Sequence, residues 1–494
     1  MIKHTRSLFA AALPLVALFA IAPSARAQDP DTNARVMDMI YAKLRIICGD
    51  NPKTSGTPST STLVLLRPGI AMDFNAADAT NAKYVKERIS ITANRLPNAS
   101  YFYEASLTGL EDVWASILQF HQTAPTTITP AEQQKMKEAE DFLAEKVSVE
   151  IEDPDDETAT KTKKFRSRQS CYDYFLRLSD SADKAYEIDK DAANLLKKAP
   201  TRALLREKEI ANRAFADTKL GNRDRVQVAI QTVAECVGRD PKTFWFKAAA
   251  EFKQMEFDGL NGKKFHEIST DPTYDIWSNK EGWTTITMDS STSDYSSASK
   301  SFSARVRGGG SWGLFSISGA GSTSESQQSM QMANTKCNIT CEVKRVQIFR
   351  PWLNGIVFGA PWWSFSGDPM AAPFLNLSEG LGITDGVPRK SATGVTELMP
   401  LVPTEFLLAR NVRITADIGM ANAQAMQKSI TAGGSAGWGP FAVSSSVTTS
   451  SGSASGKSDV GANGISFTGV QIIGVICSVQ PKIPNPDPKL FPKK

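Results

Sequence analysis

The sequence predicts an α+β fold: an N-terminal mixed and helical-bundle region, followed by an antiparallel β-sandwich or barrel built from two repeated units. Residues 131–257 carry apolar side chains at spacings of three and four, whereas the sequence after about Phe265 is rich in Ser, Thr and Gly and alternates in polarity. The first spacing is typical of one stripe of a helix, and alternation is typical of one face of a strand. The change of period predicts a helical region followed by a β region.

The first residues have the features of a secretory signal peptide. Lys3 and Arg6 precede an apolar stretch from Leu8 to Ala22, and an Ala-x-Ala sequence ends at Ala27. Prolines interrupt the apolar stretch, and a membrane span would need about 20 apolar residues. We therefore expect residues 1–27 to be removed on export and the mature chain to be periplasmic or secreted.

Net charge argues against nucleic-acid binding. The chain contains 56 Lys and Arg against 52 Asp and Glu, and three of the basic residues fall in the expected signal peptide, which leaves 53 against 52 and a charge of +1. Proteins that bind nucleic acid carry a strongly basic surface. No later segment reaches 18 uninterrupted apolar residues, so no transmembrane helix is expected in the mature chain.

Composition divides the mature chain into four parts. Residues 28–150 predict a mixed α/β module, and residues 151–262 predict a helical bundle or hairpin whose charged beginning, 152–168, is typical of a solvated linker. Residues 263–480 predict the β domain. The Pro-rich tail, 481–494, is expected to be extended or disordered.

The β domain contains the same residue types twice in the same order. Three blocks recur at offsets of 128, 126 and 124 positions, and deletions in loops produce this kind of drift. We expect copies at about 283–353 and 411–480, separated by an insertion at 354–410, with one copy packed on the other because a single unit cannot bury its apolar face alone. The matched residues are Ile286, Thr287, Asp289, Lys300, Ser301 and Ala304 with Ile414, Thr415, Asp417, Lys428, Ser429 and Ala432; Trp312, Gly313, Phe315 and Ser318 with Trp438, Gly439, Phe441 and Ser444; and Val346, Gln347 and Ile348 with Val470, Gln471 and Ile472.

All six cysteines lie in the expected exported part, where an oxidising compartment favours disulfides. They are Cys48, Cys171, Cys236, Cys337, Cys341 and Cys477. If Cys337 and Cys341 share a strand, they are roughly 13 Å apart, farther than the roughly 4.4–6.8 Å that a disulfide tolerates. Cys171 and Cys236 both lie in helical sequence that a hairpin would bring together, so this pair is the expected disulfide.

Few residues offer catalytic or metal chemistry. His121 and His266 are the only histidines after the expected signal peptide, and neither lies in a nucleophile-elbow sequence. Cys337 and Cys341 have no second pair of ligands at a zinc spacing. We expect no catalytic residues, no metal and no cofactor, and a hydrolase that uses one of the histidines is an alternative.

Five tryptophans are the candidate binding residues. Trp312 and Trp438 occupy equivalent positions in the two copies, and Trp352, Trp362 and Trp363 lie in or next to the insertion. An indole kept in both copies is typical of a core residue, and the alternative is an exposed platform for a sugar or a lipid. The three clustered tryptophans favour one binding surface.

These observations predict an exported, non-enzymatic binding or surface-interaction protein whose partner is a glycan, a protein or a lipid surface. The alternative is a pore-forming or membrane-damaging protein. Its basis is the Ser-rich alternation at 289–329 and 417–458, which is similar to the amphipathic hairpins that insert into membranes as a barrel. Ser and Thr often occupy both faces of these stretches, which favours an ordinary exposed sheet.

Overall fold

The computed structural model describes the chain in segments, and the expected signal peptide and Trp312 lie outside them. The described residues are 32–48, 61–72, 79–97, 105–125, 127–153, 156–195, 199, 202–259, 262–274, 277, 282–290, 314–318, 330, 332, 334–365, 383–385, 399–432, 434–443 and 458–491.

Both helices and strands occur along this part of the chain, which confirms the α+β class. The helices are α1 (Thr32–Ile47), α2 (Ala79–Asn94), α3 (Leu110–Phe120), α4 (Pro130–Ala144), α5 (Arg168–Leu195), α6 (Arg202–Ala216), α7 (Arg223–Arg239), α8 (Pro241–Gln254) and α9 (Met420–Thr431), with a 3-10 helix at Gly355–Gly359. The strands are β1 (Ser61–Ala71), β2 (Arg95–Pro97), β3 (Ala105–Gly109), β4 (His121–Thr123), β5 (Val147–Asp153), β6 (Asp156–Phe165), β7 (Glu256–Asp258), β8 (Lys264–His266), β9 (Ser269–Asp271), β10 (Thr284–Asp289), β11 (Phe315–Ile317), β12 (Cys337–Phe349), β13 (Trp363–Phe365), β14 (Thr384–Asp385), β15 (Leu401–Ala416), β16 (Ala436–Trp438), β17 (Phe441–Ala442), β18 (Ser458–Gly461), β19 (Gly464–Phe467), β20 (Gln471–Val479) and β21 (Lys482–Ile483).

An eight-stranded antiparallel sheet forms the centre of the fold and curls into a half-barrel. Its main order is β1-β20-β15-β12-β10, with β9 beside β12 and with β19 between β15 and β18. Strand β12 alternates buried and partly exposed residues, as its sequence predicts, whereas β20 is buried continuously from Gln471 to Cys477. A strand is buried continuously when both faces of its sheet are covered, and separate apolar cores lie against Ile473 on one face and Ile472 on the other.

The two predicted copies lie edge to edge in this one sheet. Ile286 of β10 pairs with Cys341 of β12. The residues at the repeat offsets, Ile414 and Ile465, pair with each other in β15 and β19. Strands β12 and β15 are themselves neighbours, through Ile339 and Ile414, so at these strands the two predicted copies meet side by side.

The matching register does not extend to the whole unit. Helix α9 lies in the second copy, and the residues at the same offset in the first copy, 292–303, fall outside the described residues. The repeated unit is therefore not confirmed and stays a prediction.

The charged stretch before α5 is a β-hairpin rather than a linker. Strands β5 and β6 pair in register, with Val149 opposite Lys163. Val149 is buried against a small core that α5 and α7 complete with Phe175 and Val226. Alternation explains the difference, because Val147, Val149 and Ile151 point to one face of β5 and Glu150 points to the other.

The six cysteines are free and buried, so the expected disulfides are absent from the structure. Cys171 lies in the core beneath the β5–β6 hairpin, where its thiol donates to the carbonyl oxygen of Leu220 at 3.4 Å. Cys236 lies in a different, tryptophan-rich core and donates to the carbonyl oxygen of Glu132 at 3.7 Å. The predicted Cys171–Cys236 pair is therefore wrong, because α5 and the end of α7 face different cores.

The Pro-rich tail is anchored rather than loose. Strand β21 pairs with β14, placing Ile483 opposite Thr384, and the side chain of Ile483 is fully buried in the tryptophan-rich core. Farther along, the amide of Asp487 donates to the carbonyl oxygen of Pro361 at 2.9 Å. Among the described helices, none combines the length and the apolar character needed to cross a bilayer.

Candidate functional site: an aromatic cleft on helix α8

Three of the predicted tryptophans meet in one core. Trp352, Trp362 and Trp363 pack with Trp114 of α3 and Trp245 of α8. The ring centroids of Trp245 lie 5.9 Å from Trp362 and 5.6 Å from Trp363, both edge-on. At most 6% of the surface of any of the three predicted tryptophans is exposed, so their clustering reflects core packing and none of them forms an open platform.

The remaining two candidates do not join them. Trp438 is fully buried in a different core, the one that lies against Ile473, where it pairs across the strands with Phe315. Trp312 lies outside the described residues.

A cleft of about 320 Å³ opens at the rim of the tryptophan-rich core. Volumes of roughly 300–1,000 Å³ are typical of small-molecule sites, which are mostly apolar and contain a few placed polar groups. This cleft has that composition. It is lined by Leu118, His121, Thr123, Lys242, Trp245, Phe246 and Ala249.

Helix α8 supplies one wall of the cleft. Pro241 occupies its first position, and the carboxylate of Asp240 caps it by accepting from the amide of Thr243. Residues three and four apart share a helix face, which places Lys242, Phe246 and Ala249 along the cleft. Phe246 is 79% exposed, whereas its neighbour Trp245 is 3% exposed.

Strand β4 supplies the opposite wall. It begins where α3 ends and pairs with β13, which places Thr123 opposite Trp363 and His121 opposite Phe365. The tryptophan-rich core thereby fixes the strand that carries His121 and Thr123.

His121 is held in one orientation. Its Nδ1 lies 2.9 Å from the carbonyl oxygen of Leu118 and 3.2 Å from that of Ile117. Carbonyl oxygens only accept hydrogen bonds, so Nδ1 carries the proton and Nε2 is left as an acceptor in the neutral ring. Burial lowers the pKa of His121, and the two bonds to backbone carbonyls offset part of this effect. The imidazole is therefore neutral at pH 7.

Lys242 is the one charged side chain among the described residues that line the cleft. Within the described part of the chain, no acidic side chain forms an ion pair with it. The cleft thus combines an open aromatic ring, a neutral imidazole, a hydroxyl group and a positive charge.

His266 occupies a different, buried setting. Its ring stacks on Phe252 with centroids 3.7 Å apart, and its Nδ1 lies 3.7 Å from Oε2 of Glu111. Neither histidine has a Ser, Thr or Cys side chain as a hydrogen-bond partner among the described residues. The same residues contain no group of three or more His, Cys, Asp or Glu placed to hold a metal ion.

A second feature of the fold lies at one end of the main sheet. Asp289 pairs with Asn338, Asn338 pairs with Thr415, and Thr415 pairs with Gly464, which forms a row across four strands. Residues 290–336 therefore leave and re-enter the sheet at this end, whereas residues 417–457 leave it here and re-enter it at Ser458 of β18, opposite Phe467.

Described parts of these two segments are joined to each other. Ser318 and Ser435 exchange both backbone hydrogen bonds, at 2.8 and 3.1 Å, and their hydroxyl oxygens lie 2.5 Å apart. The hydroxyl of Ser429 also donates to the carbonyl oxygen of Ser318. We call this contact the serine clasp.

The sequence also contains a signal for the cleft, in a run of three aromatic residues. Phe244, Trp245 and Phe246 are consecutive on a helix, and a rotation of about 100° per residue spreads three rings over roughly 200° of its surface. A helix that packs on one side cannot bury all three rings, so one aromatic ring has to face outward.

No protein-family model matches this chain, and neither a curated protein nor a solved structure is similar to it.

Proposed function

We propose that the protein is an exported binding protein and that the cleft on α8 is its ligand site. The observation that carries this proposal is the open ring of Phe246, placed beside three polar groups over a buried aromatic floor. Leaving a large apolar side chain in water forgoes about 1.5–3 kcal/mol of burial. A ligand that covers Phe246 recovers part of this free energy.

The buried floor supports the proposal because it is preorganised. Trp245 is held between His121 on one side and the edges of Trp362 and Trp363 on the other. A site whose side chains are already fixed loses little conformational entropy when a ligand binds.

A matched pair of variants tests this function. Phe246→Ala removes the open ring, and Val228→Ala removes a side chain of α7 that is 64% exposed and lies outside the cleft lining. We expect a screen of glycans, lipid vesicles and proteins to yield a partner whose affinity falls at least about tenfold in Phe246→Ala and is unchanged in Val228→Ala. A partner that binds both variants as well as the natural protein would place the site elsewhere.

The row at the end of the sheet favours a second candidate, a pore-forming protein. A membrane β-barrel consists of adjacent antiparallel strands in which apolar and polar residues alternate. The Ser-rich segments 289–329 and 417–458, whose sequences are similar to the hairpins of such a barrel, follow strands β10 and β15 at this end of the sheet.

Dye release from liposomes tests the second candidate. We expect release at micromolar protein from vesicles of some lipid composition and pH between 5 and 8. Intact vesicles under all of these conditions would exclude the pore-forming candidate. The binding function would then be the one proposed function. A hydrolase that uses His121 or His266 stays a prediction. Its test is whether replacing either histidine with Ala abolishes a hydrolytic activity while the protein still folds.

A further inference from the structure

We infer that the cleft on α8 binds a carboxylated sugar unit, with the ring face of the sugar on Phe246 and its carboxylate on Lys242. This inference rests on the proposed binding function and names the chemical class of its ligand.

The aromatic surface that remains open has the shape a sugar ring needs. His121 covers one face of Trp245, since the two rings stack at 4.1 Å. Phe246 therefore supplies the exposed ring of the cleft. Pyranose rings present an apolar face of C–H groups that packs flat on an aromatic side chain, as other apolar groups do.

The polar lining matches hydroxyl groups. The Nε2 atom of His121 accepts a hydrogen bond, because Nδ1 already donates to the backbone. The hydroxyl of Thr123 both donates and accepts. The hydroxyl groups of a sugar can form hydrogen bonds with both side chains, whereas an acyl chain has no hydrogen-bonding group, so the lining favours a sugar over a lipid tail.

The charge of the lining selects an anionic ligand. Among the described residues that line it, Lys242 is the only charged side chain and none is Asp or Glu. The amino-terminal end of α8 is already capped by Asp240, so the Lys242 ammonium alone supplies the positive charge. A carboxylate on the ring would form a charge-assisted hydrogen bond with it.

The cleft is too small to form a protein–protein interface by itself. A stable protein interface uses roughly 20–30 residues on each side, and a cleft of about 320 Å³ with so few lining residues is far smaller. The volume suits one or two sugar rings.

Calorimetric titration of the full chain with a defined panel tests the inference. The probes are trimers that contain galacturonic, glucuronic or sialic acid, the methyl ester of each, and neutral galactose and glucose trimers. We expect one acid to bind at least about tenfold more tightly than its own ester, because only the acid pairs with Lys242.

Variants assign the effect to the cleft. Lys242→Gln should reduce the affinity of the acid to that of the ester and leave ester binding unchanged, whereas Phe246→Ala should weaken both. Lys253→Gln changes another exposed lysine of α8 outside the cleft lining and should change neither.

The outcomes separate this inference from the proposed function. If acids and esters bind equally, or if no sugar binds while another ligand depends on Phe246, the carboxylate inference is overturned and the binding function stands. If an acid binds but Phe246→Ala and Lys242→Gln leave its affinity unchanged, both the inference and the assignment of the site fail.

Discussion

His121 lies flat against Trp245, with ring centroids 4.1 Å apart and planes inclined by 25°. The stack joins β4 to α8, two elements that the chain separates by more than one hundred residues. The imidazole covers Trp245, which is buried in the core, whereas the neighbouring Phe246 is exposed in the cleft. The core and the proposed ligand site therefore depend on different, adjacent side chains.

This division predicts opposite responses to truncation. Trp363→Ala removes a fully buried indole that packs on Trp245 and donates to the carbonyl oxygen of Val357. We expect it to lower the free energy of unfolding by about 3–5 kcal/mol, whereas Phe246→Ala changes it by less than about 0.5 kcal/mol. Urea unfolding followed by circular dichroism measures both. An equal loss in the two variants would show that Phe246 is a structural residue.

The buried setting of His121 predicts a dependence of stability on pH. Burial lowers the pKa of His121 in the folded protein, so the unfolded chain, with a His pKa of about 6.5, binds a proton more readily. Its contribution to stability is therefore complete above about pH 6.5 and decreases as the pH falls through this value.

Melting temperatures between pH 5 and 8 check this contribution. His121→Phe keeps an aromatic ring against Trp245 and cannot titrate, so its melting temperature should fall less on acidification than that of the natural protein. Parallel curves for the two proteins would contradict the prediction.

Burial of the cysteines predicts unreactive thiols. Desolvation raises the pKa of both Cys337 and Cys341 to about 12, and nearby carboxylates add to this effect. Because the thiolate is the reactive form, we expect the folded protein to react negligibly with Ellman's reagent at pH 8, and six equivalents of thiol to react after denaturation. Fewer than six equivalents in the denatured, unreduced protein would reveal a disulfide.

The serine clasp is a position at which an engineered disulfide would join the two Ser-rich segments. Residues that exchange both backbone hydrogen bonds have Cα atoms about 5.5 Å apart, within the range that a disulfide tolerates. We expect Ser318→Cys/Ser435→Cys to form a disulfide on oxidation, detected as a loss of two thiols.

If the protein releases dye from liposomes, the oxidised double variant should release none, and reduction should restore the release. Each single variant serves as a control, because one new cysteine cannot form this disulfide. Release by the fully oxidised protein would show that the two segments act without separating at this contact.

Periodicity predicted the elements that a single stretch of sequence determines. The alternation of β12 and the helical spacing of α7 appear in the structure as predicted, because one face of each element is buried. The hairpin of β5 and β6 was missed, since charged residues on its solvent face concealed a short apolar alternation around Val149. Local pattern does not reveal which core that apolar face will join.

The site depended on contacts between distant parts of the chain. His121 and Lys242 were visible as residues, yet only the packing of α3 against α8 brings them to one cleft. The tryptophans were conspicuous in the sequence for the same reason that they are buried: large rings contribute most to a core. A ring that the core cannot accommodate, as in the Phe244–Trp245–Phe246 run, is the more useful marker of a site.

The anchoring of Ile483 has a practical consequence for anyone who immobilises or trims this protein. A protease cut or a truncation that removes the last dozen residues would remove the buried side chain of Ile483 from the tryptophan-rich core. The core beside the cleft would be destabilised, although no residue of the cleft lining is lost. Attachment chemistry is therefore better directed to the exposed residues of α6 than to the segment from Ile483 to Asp487.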